Sequence, residues 1–175
     1  MPINFSIKES NLKDVYYFIP SVSTDNRGDI WTSYLKEIMV KYIPQGINFR
    51  HDKFSTSKKN VLRGIHGDSK SWKLVTCVHG EIFGAVVDLR PDSDTFNSSE
   101  TFRISQSEKM LVLIPPNFGN AYFVLSDYAV YHYKLAYEGR YIDADEQFSY
   151  AWNNPQFNIK WPCTNPLLSE RDAKK

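Results

Sequence analysis

The fold is decided by Asn60-Val-Leu-Arg-Gly-Ile-His66 and, after a short polar turn, by Trp72-Lys-Leu-Val-Thr-Cys-Val78. Both stretches are short and rich in apolar and β-branched residues, which predicts two consecutive β-strands. The strands carry Arg63, His66 and Lys73. Burying such side chains in a shared interior is costly unless a ligand or a partner compensates them. We therefore expect the functional site in this segment.

Short apolar runs recur on both sides of this segment and are separated by turns rich in Pro, Gly, Asn and Asp. They predict strands near 36–44, 47–54, 60–66, 72–78, 82–89, 101–105, 110–114, 120–125 and 128–135. The run 82–89 is apolar on both faces, which predicts a central strand that is covered on both sides. An all-β sandwich, jelly roll or barrel is the expected architecture. Helix is expected only around 166–174, with a short turn near 8–14.

Composition limits the classes of protein to consider. The 175 residues suffice for one domain, 1–175, with a substantial core. A net charge of +1 gives no basic excess for nucleic acid, and no apolar run approaches the ~20 residues that span a bilayer. Cys77 and Cys163 lack metal-ligand spacing. We expect a cytoplasmic protein with reduced thiols that binds neither nucleic acid nor membranes.

Strand alternation predicts which side chains meet, because successive residues point to opposite faces. It groups His66 with Leu62 and Gly64 and directs Arg63 to the opposite face. An interior could then collect four further polar side chains from other strands. These are Lys73, Asn120, Tyr131 and Tyr133.

Such a group is suited to proton abstraction next to a carbonyl. Histidine titrates near pH ~6.5 and can serve as a base, an ammonium can stabilise an enolate oxygen, and a tyrosine can return a proton from the other side. Each residue taken alone also has an ordinary structural interpretation. His66 could be a hydrogen-bonded structural residue, Tyr133 a core residue and Lys73 a solvated edge charge.

The ordered motifs resemble one family over roughly 15–172. They include Asp25-Asn-Arg-Gly28, Val61-Leu-Arg-Gly-Ile-His66, Val87-Asp-Leu-Arg90, Trp152-Asn-Asn-Pro155 and Leu168-Ser-Glu-Arg-Asp172. The family is that of the RmlC-like epimerases, which act on nucleotide-linked 4-keto sugars at C3 and C5. The resemblance implies a cupin jelly roll, a homodimer with exchanged strands, no metal and no cofactor. His66-Gly-Asp68 indeed differs from the His-x-His pattern of metal cupins.

The resemblance also implies roles for single residues. His66 matches the family's base, Asp172 the carboxylate that orients it, and Lys73 the enolate-stabilising lysine. Tyr133 matches the acid that protonates carbon from the opposite face. Arg63 and Arg27 match residues that hold the diphosphate, and Arg27 is expected to come from the partner subunit.

Three departures from the family pattern bear on specificity. The family's Phe-Ala-His-Gly-Phe reads Phe118-Gly-Asn-Ala-Tyr122 here, so that Asn120 replaces a histidine. An amide can donate to an oxyanion but cannot act as a base, which leaves a C3-only epimerase open. His51 and Lys53 replace the Gln and Asn of the thymidine-type site.

The combination resembles the branch that acts on GDP-4-keto-heptoses in bacterial capsule synthesis. The expected nucleotide-binding set is Arg63, Arg27, His51, Lys53, Ser55 and Asp29, with Asp29 or Asp52 as acceptor for guanine. Three alternatives remain open. They are a dTDP-4-keto-6-deoxyhexose 3,5-epimerase, a sugar 3,4-ketoisomerase, and a non-catalytic cupin that binds a nucleotide sugar.

Overall fold

The computed structural model describes residues 3–174, and strands account for most of its regular structure. In chain order the strands are β1 (Phe5–Glu9), β2 (Tyr16–Pro20), β3 (Val22–Asp25), β4 (Gly28–Trp31), β5 (Asn48–Lys58), β6 (Leu62–Gly67), β7 (Trp72–His79), β8 (Glu81–Asp88), β9 (Ser99–Ser105), β10 (Leu111–Ile114), β11 (Phe118–Val124), β12 (Tyr128–Tyr137) and β13 (Phe148–Ser149). Within this part of the chain the α-helices are α1 (Lys36–Met39) and α2 (Glu170–Ala173). Short 3₁₀ turns cover Val40–Tyr42, Ala144–Glu146 and Pro155–Phe157.

Two antiparallel sheets form the body of the fold. The first has the strand order β1-β2-β10-β7-β12-β5 and the second β13-β6-β11-β8-β9, while β3 and β4 form a separate hairpin. Val75, Val86, Tyr122 and Tyr131 belong to one buried cluster, to which strands of both sheets contribute. The prediction of an all-β jelly roll with a short C-terminal helix is confirmed. The central position predicted for the strand 82–89 is also confirmed, since β8 lies between β11 and β9.

The outer face of the six-stranded sheet is partly covered by α1 and the turn after it. Met39 and Ile43 are buried there against Leu74 and Leu113. The prediction of a strand over 36–44 is therefore wrong. The apolar residues in this segment recur at helical spacing and cover a sheet from outside, and a short apolar run does not by itself distinguish this arrangement from a strand.

The C-terminal segment is attached to β6 by backbone hydrogen bonds. The Leu62 N–H donates to the Leu167 carbonyl at 3.0 Å, and the Leu167 N–H donates to the Asn60 carbonyl at 2.7 Å. Ser169 then caps α2 by accepting from the Asp172 N–H at 3.2 Å. These contacts bring α2 beside a strand that lies about a hundred residues earlier in the sequence.

Candidate active site

A cavity of about 310 Å³ is lined by residues from both large sheets and from α2. Eight of the eleven predicted site residues line it, namely Lys53, Ser55, Arg63, His66, Lys73, Asn120, Tyr133 and Asp172. Three predicted residues, Arg27, Asp29 and His51, are not in its lining. The structure thus assembles the catalytic candidates and leaves part of the nucleotide-binding set elsewhere.

His66 and Asp172 form a hydrogen-bonded pair at the cavity wall. His66 Nε2 lies 2.5 Å from Asp172 Oδ1, and the side-chain exposure is 24% for His66 but 3% for Asp172. Burial alone raises the pKa of Asp172, but hydrogen bonds from His66, Ser169 and the Gly64 backbone outweigh it and lower that pKa below its ordinary value. The carboxylate is therefore ionised and can only accept, so the proton of this hydrogen bond belongs to Nε2. The lone pair of His66 then lies on Nδ1.

Asn120 lies directly beside His66 in the five-stranded sheet. The two residues are cross-strand partners between β11 and β6, which places both side chains on one face. Asn120 is buried, and its Nδ2 has no hydrogen-bond partner among the described residues. A buried donor without a partner is costly, so this amide is available to an oxygen atom of a bound ligand.

Arg63 shares the cavity with His66, which corrects the expectation that the two point to opposite faces. The pairing of β11 with β6 runs from Asn120–His66 to Tyr122–Arg63, with a shift of register between them. Ala121 on β11 thus lies opposite two residues of β6, Gly64 and Ile65. An extra residue of this kind reverses the alternation of faces, and it brings the guanidinium of Arg63 into the cavity lining.

Lys73 and Tyr133 enter from the opposite, six-stranded sheet. Lys73 on β7 pairs with Leu135 on β12, two residues from Tyr133, so both side chains point inward. Burial lowers the pKa of Lys73, and Asp68, whose Oδ2 lies 3.6 Å from Lys73 Nζ, opposes this effect. Burial raises the pKa of Tyr133 well above its ordinary value, so its phenol is protonated near neutral pH.

Lys53, Ser55 and His51 follow the inner face of β5. Their register partners on β12 are Tyr133, Tyr131 and Leu135 in that order. Lys53 Nζ donates to Tyr141 Oη at 3.1 Å. His51 packs edge-on against the same tyrosine ring, with centroids 4.8 Å apart, and thus lies behind the cavity wall. Burial and the neighbouring Lys53 lower the pKa of His51.

The remaining predicted residues lie away from the cavity. Arg27 is at the tip of the β3–β4 hairpin, where it is 86% exposed and pairs with Asp25. Asp29, on the same hairpin, binds Lys109. Asp52 is on the outer face of β5. None of the three reaches the cavity of the same chain.

Sequence reasoning missed four polar residues of the lining, namely Tyr141, Gln147, Ser169 and Arg171. Arg171 directly precedes Asp172 in α2. A cationic residue next to the carboxylate that orients His66 could have been identified as a site residue from the sequence. Arg171 also donates to the Gln147 carbonyl at 3.3 Å, which ties α2 to the 139–147 loop. Tyr141 and Gln147 belong to this loop, which carries no periodic pattern and gave no signal.

Residues 3–174 contain neither a metal-type cluster nor a membrane-spanning helix. No cluster of three or more His, Cys, Asp or Glu side chains with the geometry of a metal site occurs there. The same residues include no helix that is long and apolar enough to cross a membrane.

Comparison with known proteins gives consistent matches. A family model described as dTDP-4-dehydrorhamnose 3,5-epimerase matches residues 9–175. The dTDP-4-dehydrorhamnose 3,5-epimerase of Salmonella typhimurium is 36% identical over 166 residues, which cover 93% of this chain and 89% of that protein. The dTDP-4-dehydrorhamnose 3-epimerase of Streptomyces niveus is 30% identical over 172 residues, which cover 95% and 80% of the two chains.

A solved structure with the same fold is that of dTDP-6-deoxy-D-glucose-3,5-epimerase RmlC from Legionella pneumophila in complex with dTDP-4-keto-L-rhamnose. It superposes with a TM-score of 0.90 at 30% sequence identity, over 98% of this chain and 91% of that one. The similarity therefore includes both sheets and the segments that build the cavity.

Proposed function

Because the chain belongs to the dTDP-4-dehydrorhamnose 3,5-epimerase family, we propose a reaction and a substrate for its cavity. Family membership makes the chain an epimerase of nucleotide sugars, and this confirms the prediction of an enzyme. The proposed reaction is the inversion of a carbon next to the keto group of a nucleotide-linked 4-keto sugar, without a cofactor. The observation that supports it most directly is the His66–Asp172 pair, which is opposed by Tyr133 from the other sheet.

His66 removes the proton in this proposal. The 4-keto group acidifies the adjacent C–H bond, and Nδ1 of His66 accepts the proton while Nε2–H remains bonded to Asp172. The ionised carboxylate fixes the ring and stabilises the imidazolium that forms. A positioned base of this kind typically contributes about 10²–10⁴-fold to the rate.

Lys73 and Asn120 stabilise the enolate oxygen. The ammonium of Lys73 comes from β7 and the free Nδ2 of Asn120 from β11, so the two donors belong to opposite sheets. Donors that are fixed before the reaction cost no reorganisation as charge develops. Asp68 holds the ammonium of Lys73 in place.

Tyr133 returns a proton to carbon from the other face. Its raised pKa keeps the phenol protonated, and its position on β12 opposes His66 on β6. Abstraction on one face and protonation on the other invert the carbon. Loss of Tyr133 would leave exchange without inversion, whereas loss of His66 would remove both.

The diphosphate is assigned to the cationic side of the cavity. Arg63, Lys53 and Arg171 all belong to its lining. The planar forks of the two arginines fit phosphate oxygens, and Lys53 adds a point charge. Within one chain, the second arginine of the cavity is therefore Arg171 and not Arg27.

We propose GDP-4-keto-heptose, a precursor of capsular polysaccharide, as the substrate. The support is the sequence departure at His51 and Lys53, together with the packing of both residues around Tyr141 at the cavity. The competing substrate is a dTDP-4-keto-6-deoxyhexose. The descriptions of the Salmonella and Legionella proteins, which both refer to dTDP sugars, support this alternative.

The number of carbons inverted depends on Asn120 in this proposal. An amide in place of the family's histidine keeps a hydrogen-bond donor but cannot carry a proton to or from carbon. We propose inversion at C3, with C5 as a second, slower centre. The Streptomyces niveus relative, which is described as a 3-epimerase, supports C3 as the preferred centre.

A homodimer with exchanged strands would bring Arg27 to a cavity. Arg27 lies at the exposed tip of the β3–β4 hairpin, which forms a two-stranded sheet of its own. The residue therefore needs another copy of the chain if it is to contact a nucleotide. Light scattering should give twice the chain mass, and Arg27→Ala should raise KM with little change in kcat. A monomer with full activity would contradict the dimer proposal.

Deuterium exchange tests the reaction. GDP-4-keto-heptose and dTDP-4-keto-6-deoxyglucose are each incubated with the enzyme in deuterated water, and the sugar protons are followed by NMR. We expect deuterium at C3 first, inversion of C3, and faster exchange with the GDP sugar. No exchange with either sugar would refute the reaction, whereas exchange with the dTDP sugar alone would refute only the GDP assignment.

Nucleotide binding gives an independent test of the base. A ligand at 100 times its dissociation constant stabilises a fold by about 2.7 kcal/mol. Thermal unfolding is therefore measured with GDP, dTDP, UDP and CDP at equal concentration. The largest shift is expected for GDP, and a larger shift with dTDP would transfer the assignment to the dTDP sugar.

A further inference from the structure

Three hydroxyl groups lie behind Arg63 and link the two large sheets. Arg63 Nε donates to Ser57 Oγ at 2.9 Å, and Ser57 Oγ lies 3.1 Å from Tyr122 Oη. Tyr122 Oη in turn lies 2.6 Å from Ser55 Oγ. Both serines belong to β5 of the six-stranded sheet, whereas Arg63 and Tyr122 belong to the five-stranded sheet. We call Ser57, Tyr122 and Ser55 the hydroxyl triad.

The strand register brings these side chains together. Tyr122 and Arg63 are cross-strand partners between β11 and β6, so both side chains are on one face of their sheet. Ser55 and Ser57 are two residues apart on β5 and therefore share one face as well. The hydroxyl triad is thus held by the two sheets and not by a loop.

The hydroxyl triad is shielded from water where it meets Arg63. Tyr122 is 1% exposed and Ser57 is 4% exposed. The ring of Tyr122 stacks on that of Tyr131 with centroids 4.3 Å apart, which restricts the position of its hydroxyl. The hydroxyl hydrogen of Ser57 is free for Tyr122, since a guanidinium never accepts. Ser57 therefore offers Arg63 a fixed acceptor, and a hydrogen bond in such surroundings is stronger than in water.

The hydrogen bond to Ser57 occupies one edge of the guanidinium and leaves the other edge free. A guanidinium has five N–H donors in a planar fork, one on Nε and four on the two terminal nitrogens. Within residues 3–174, Ser57 accepts from Nε, and neither terminal nitrogen of Arg63 has a hydrogen-bond partner or an ion pair. Arg63 is exposed and belongs to the cavity lining. A pair of parallel hydrogen bonds to a ligand must therefore come from the two terminal nitrogens.

The second arginine of the cavity is held differently. A terminal nitrogen of Arg171 donates to the Gln147 carbonyl at 3.3 Å, so the protein itself uses part of its terminal edge. Arg63 is thus the arginine whose whole terminal edge is open to a ligand, and the edge behind it is fixed by the hydroxyl triad.

We propose that the hydroxyl triad positions Arg63 so that both terminal nitrogens bind the diphosphate of the substrate. The inference rests on the proposed assignment of the diphosphate to this side of the cavity. An unrestrained arginine loses rotamer freedom when it binds a ligand, and this loss weakens binding. Arg63 has lost part of that freedom in the free protein, because Nε is already held. Ser57 and Tyr122 are outside the cavity lining, so they are positioning residues that act through Arg63.

Tyr122 makes the hydroxyl triad a property of the present chain. It occupies the position where the family pattern has phenylalanine, which has no hydroxyl to join Ser57 to Ser55. Without that hydroxyl, Ser57 would still accept from Arg63, but its own hydrogen would lose its partner. We therefore expect removal of the Tyr122 hydroxyl to weaken the hold on Arg63 without abolishing it.

The test measures nucleotide affinity and turnover in Ser57→Ala and Tyr122→Phe. Calorimetry gives the Kd for whichever of GDP, dTDP, UDP and CDP the wild type binds most tightly. We expect Ser57→Ala to weaken binding about tenfold, the effect of losing one hydrogen bond to a charged group, and Tyr122→Phe about threefold, because it acts through Ser57. KM for the 4-keto sugar should rise by the same factors. The kcat should stay at the wild-type value, because neither variant alters His66 or Tyr133.

Tyr17→Phe is the matched control. The Tyr17 hydroxyl is similarly buried and donates to Glu100 Oε1 at 2.8 Å, but neither residue lines the cavity. Its loss should leave both Kd and KM unchanged. A double-mutant cycle then combines Tyr122→Phe with Arg63→Ala. If Tyr122 acts through Arg63, the double variant binds the nucleotide as weakly as Arg63→Ala alone.

The outcomes separate two failures. Wild-type affinity in Arg63→Ala overturns the diphosphate assignment on which the inference rests. Weakened binding in Arg63→Ala, with wild-type affinity in both Ser57→Ala and Tyr122→Phe, overturns the role of the hydroxyl triad and keeps that assignment.

Two further results also overturn the inference. A fall of kcat in Ser57→Ala and Tyr122→Phe would indicate a structural effect on the whole site. A loss of affinity from Tyr122→Phe that persists when Arg63 is already alanine would show that Tyr122 acts by another route. Thermal unfolding establishes that each variant is folded, and Ser57→Ala decides the question if Tyr122→Phe unfolds.

Discussion

Among residues 3–174, one His–Asp pair lies at the cavity and another lies on the outer face of the six-stranded sheet, and only the imidazole of the first faces the cavity. His66 Nε2 lies 2.5 Å from Asp172 at the cavity, and His132 Nε2 lies 2.7 Å from Asp52 on the outer face of the six-stranded sheet. The hydrogen bonds are nearly alike. The burial is reversed, because at the cavity the carboxylate is covered and the imidazole is open, whereas in the outer pair the imidazole is 8% exposed and Asp52 is 42% exposed.

The reversal decides which imidazole can act as a base. His132 is covered by the ring of Phe54, with centroids 4.7 Å apart, and its carboxylate also binds Lys134. No substrate carbon can reach such a ring. His66 has its carboxylate behind it and a cavity in front of it. A His–Asp pair is therefore not a site by itself, and the direction in which the imidazole is exposed makes the difference.

The largest effect is expected when the proposed base, His66, is removed. His66→Asn should lower both exchange and inversion by about 10³-fold, within the range for a positioned base. Deuterium exchange at C3 followed by NMR is the measurement. The same change at the outer pair, His132→Asn, is the control and should leave exchange at its wild-type rate. A comparable loss in both variants would remove the distinction between the two pairs.

Asp172→Asn should have a smaller effect, about 10²-fold, at the lower end of that range. An amide can donate to His66 Nε2, which shifts the ring proton to Nδ1 and removes the lone pair that accepts from carbon. The loss should fall on kcat rather than KM, because Asp172 acts through His66. Asp52→Asn is the matched variant and should keep kcat. A pure KM effect in Asp172→Asn would contradict its positioning role.

Strand alternation in the sequence was enough to place one half of the site. Tyr133 and Lys73 face the cavity because β12 and β7 pair without a break between these residues. The same rule failed for Arg63, because an extra residue on β6 reverses the faces. A bulge depends on how two strands pair, and the sequence of one strand alone does not show it.

The sequence pattern could not predict contacts between residues that are distant in the chain. Asp172 reaches His66 only through the hydrogen bonds of Leu167 to Asn60 and Leu62, and the resemblance to a family was needed to connect them. The segment 36–44 was misassigned because its apolar residues cover a sheet instead of joining one.

The outer pair should matter for stability rather than for rate. His132→Asn leaves Asp52 with Lys134 alone and removes a buried ring from beneath Phe54. Because Asp52 is partly exposed, the ion pair itself is screened, and we expect a total cost of about 1 kcal/mol, as for a typical point mutant. Urea unfolding measures it. A wild-type midpoint would show that the outer pair contributes nothing measurable.

The smallest expected effect is the response of the two carboxylates to acid. Hydrogen bonds hold the pKa of both Asp172 and Asp52 below the ordinary value of 3.8, against the opposing effect of burial. A group with a depressed folded pKa stabilises the protein above its unfolded pKa, and this stabilisation is lost as pH falls through the folded value. The window therefore begins near pH 4 and extends below it.

Asp172→Asn should flatten the fall of unfolding free energy in this window more than Asp52→Asn, because Asp172 is the better buried carboxylate and solvent screens Asp52. Urea unfolding at a series of acidic pH values gives both slopes, and a larger change in Asp52→Asn would reverse the ranking of the two pairs.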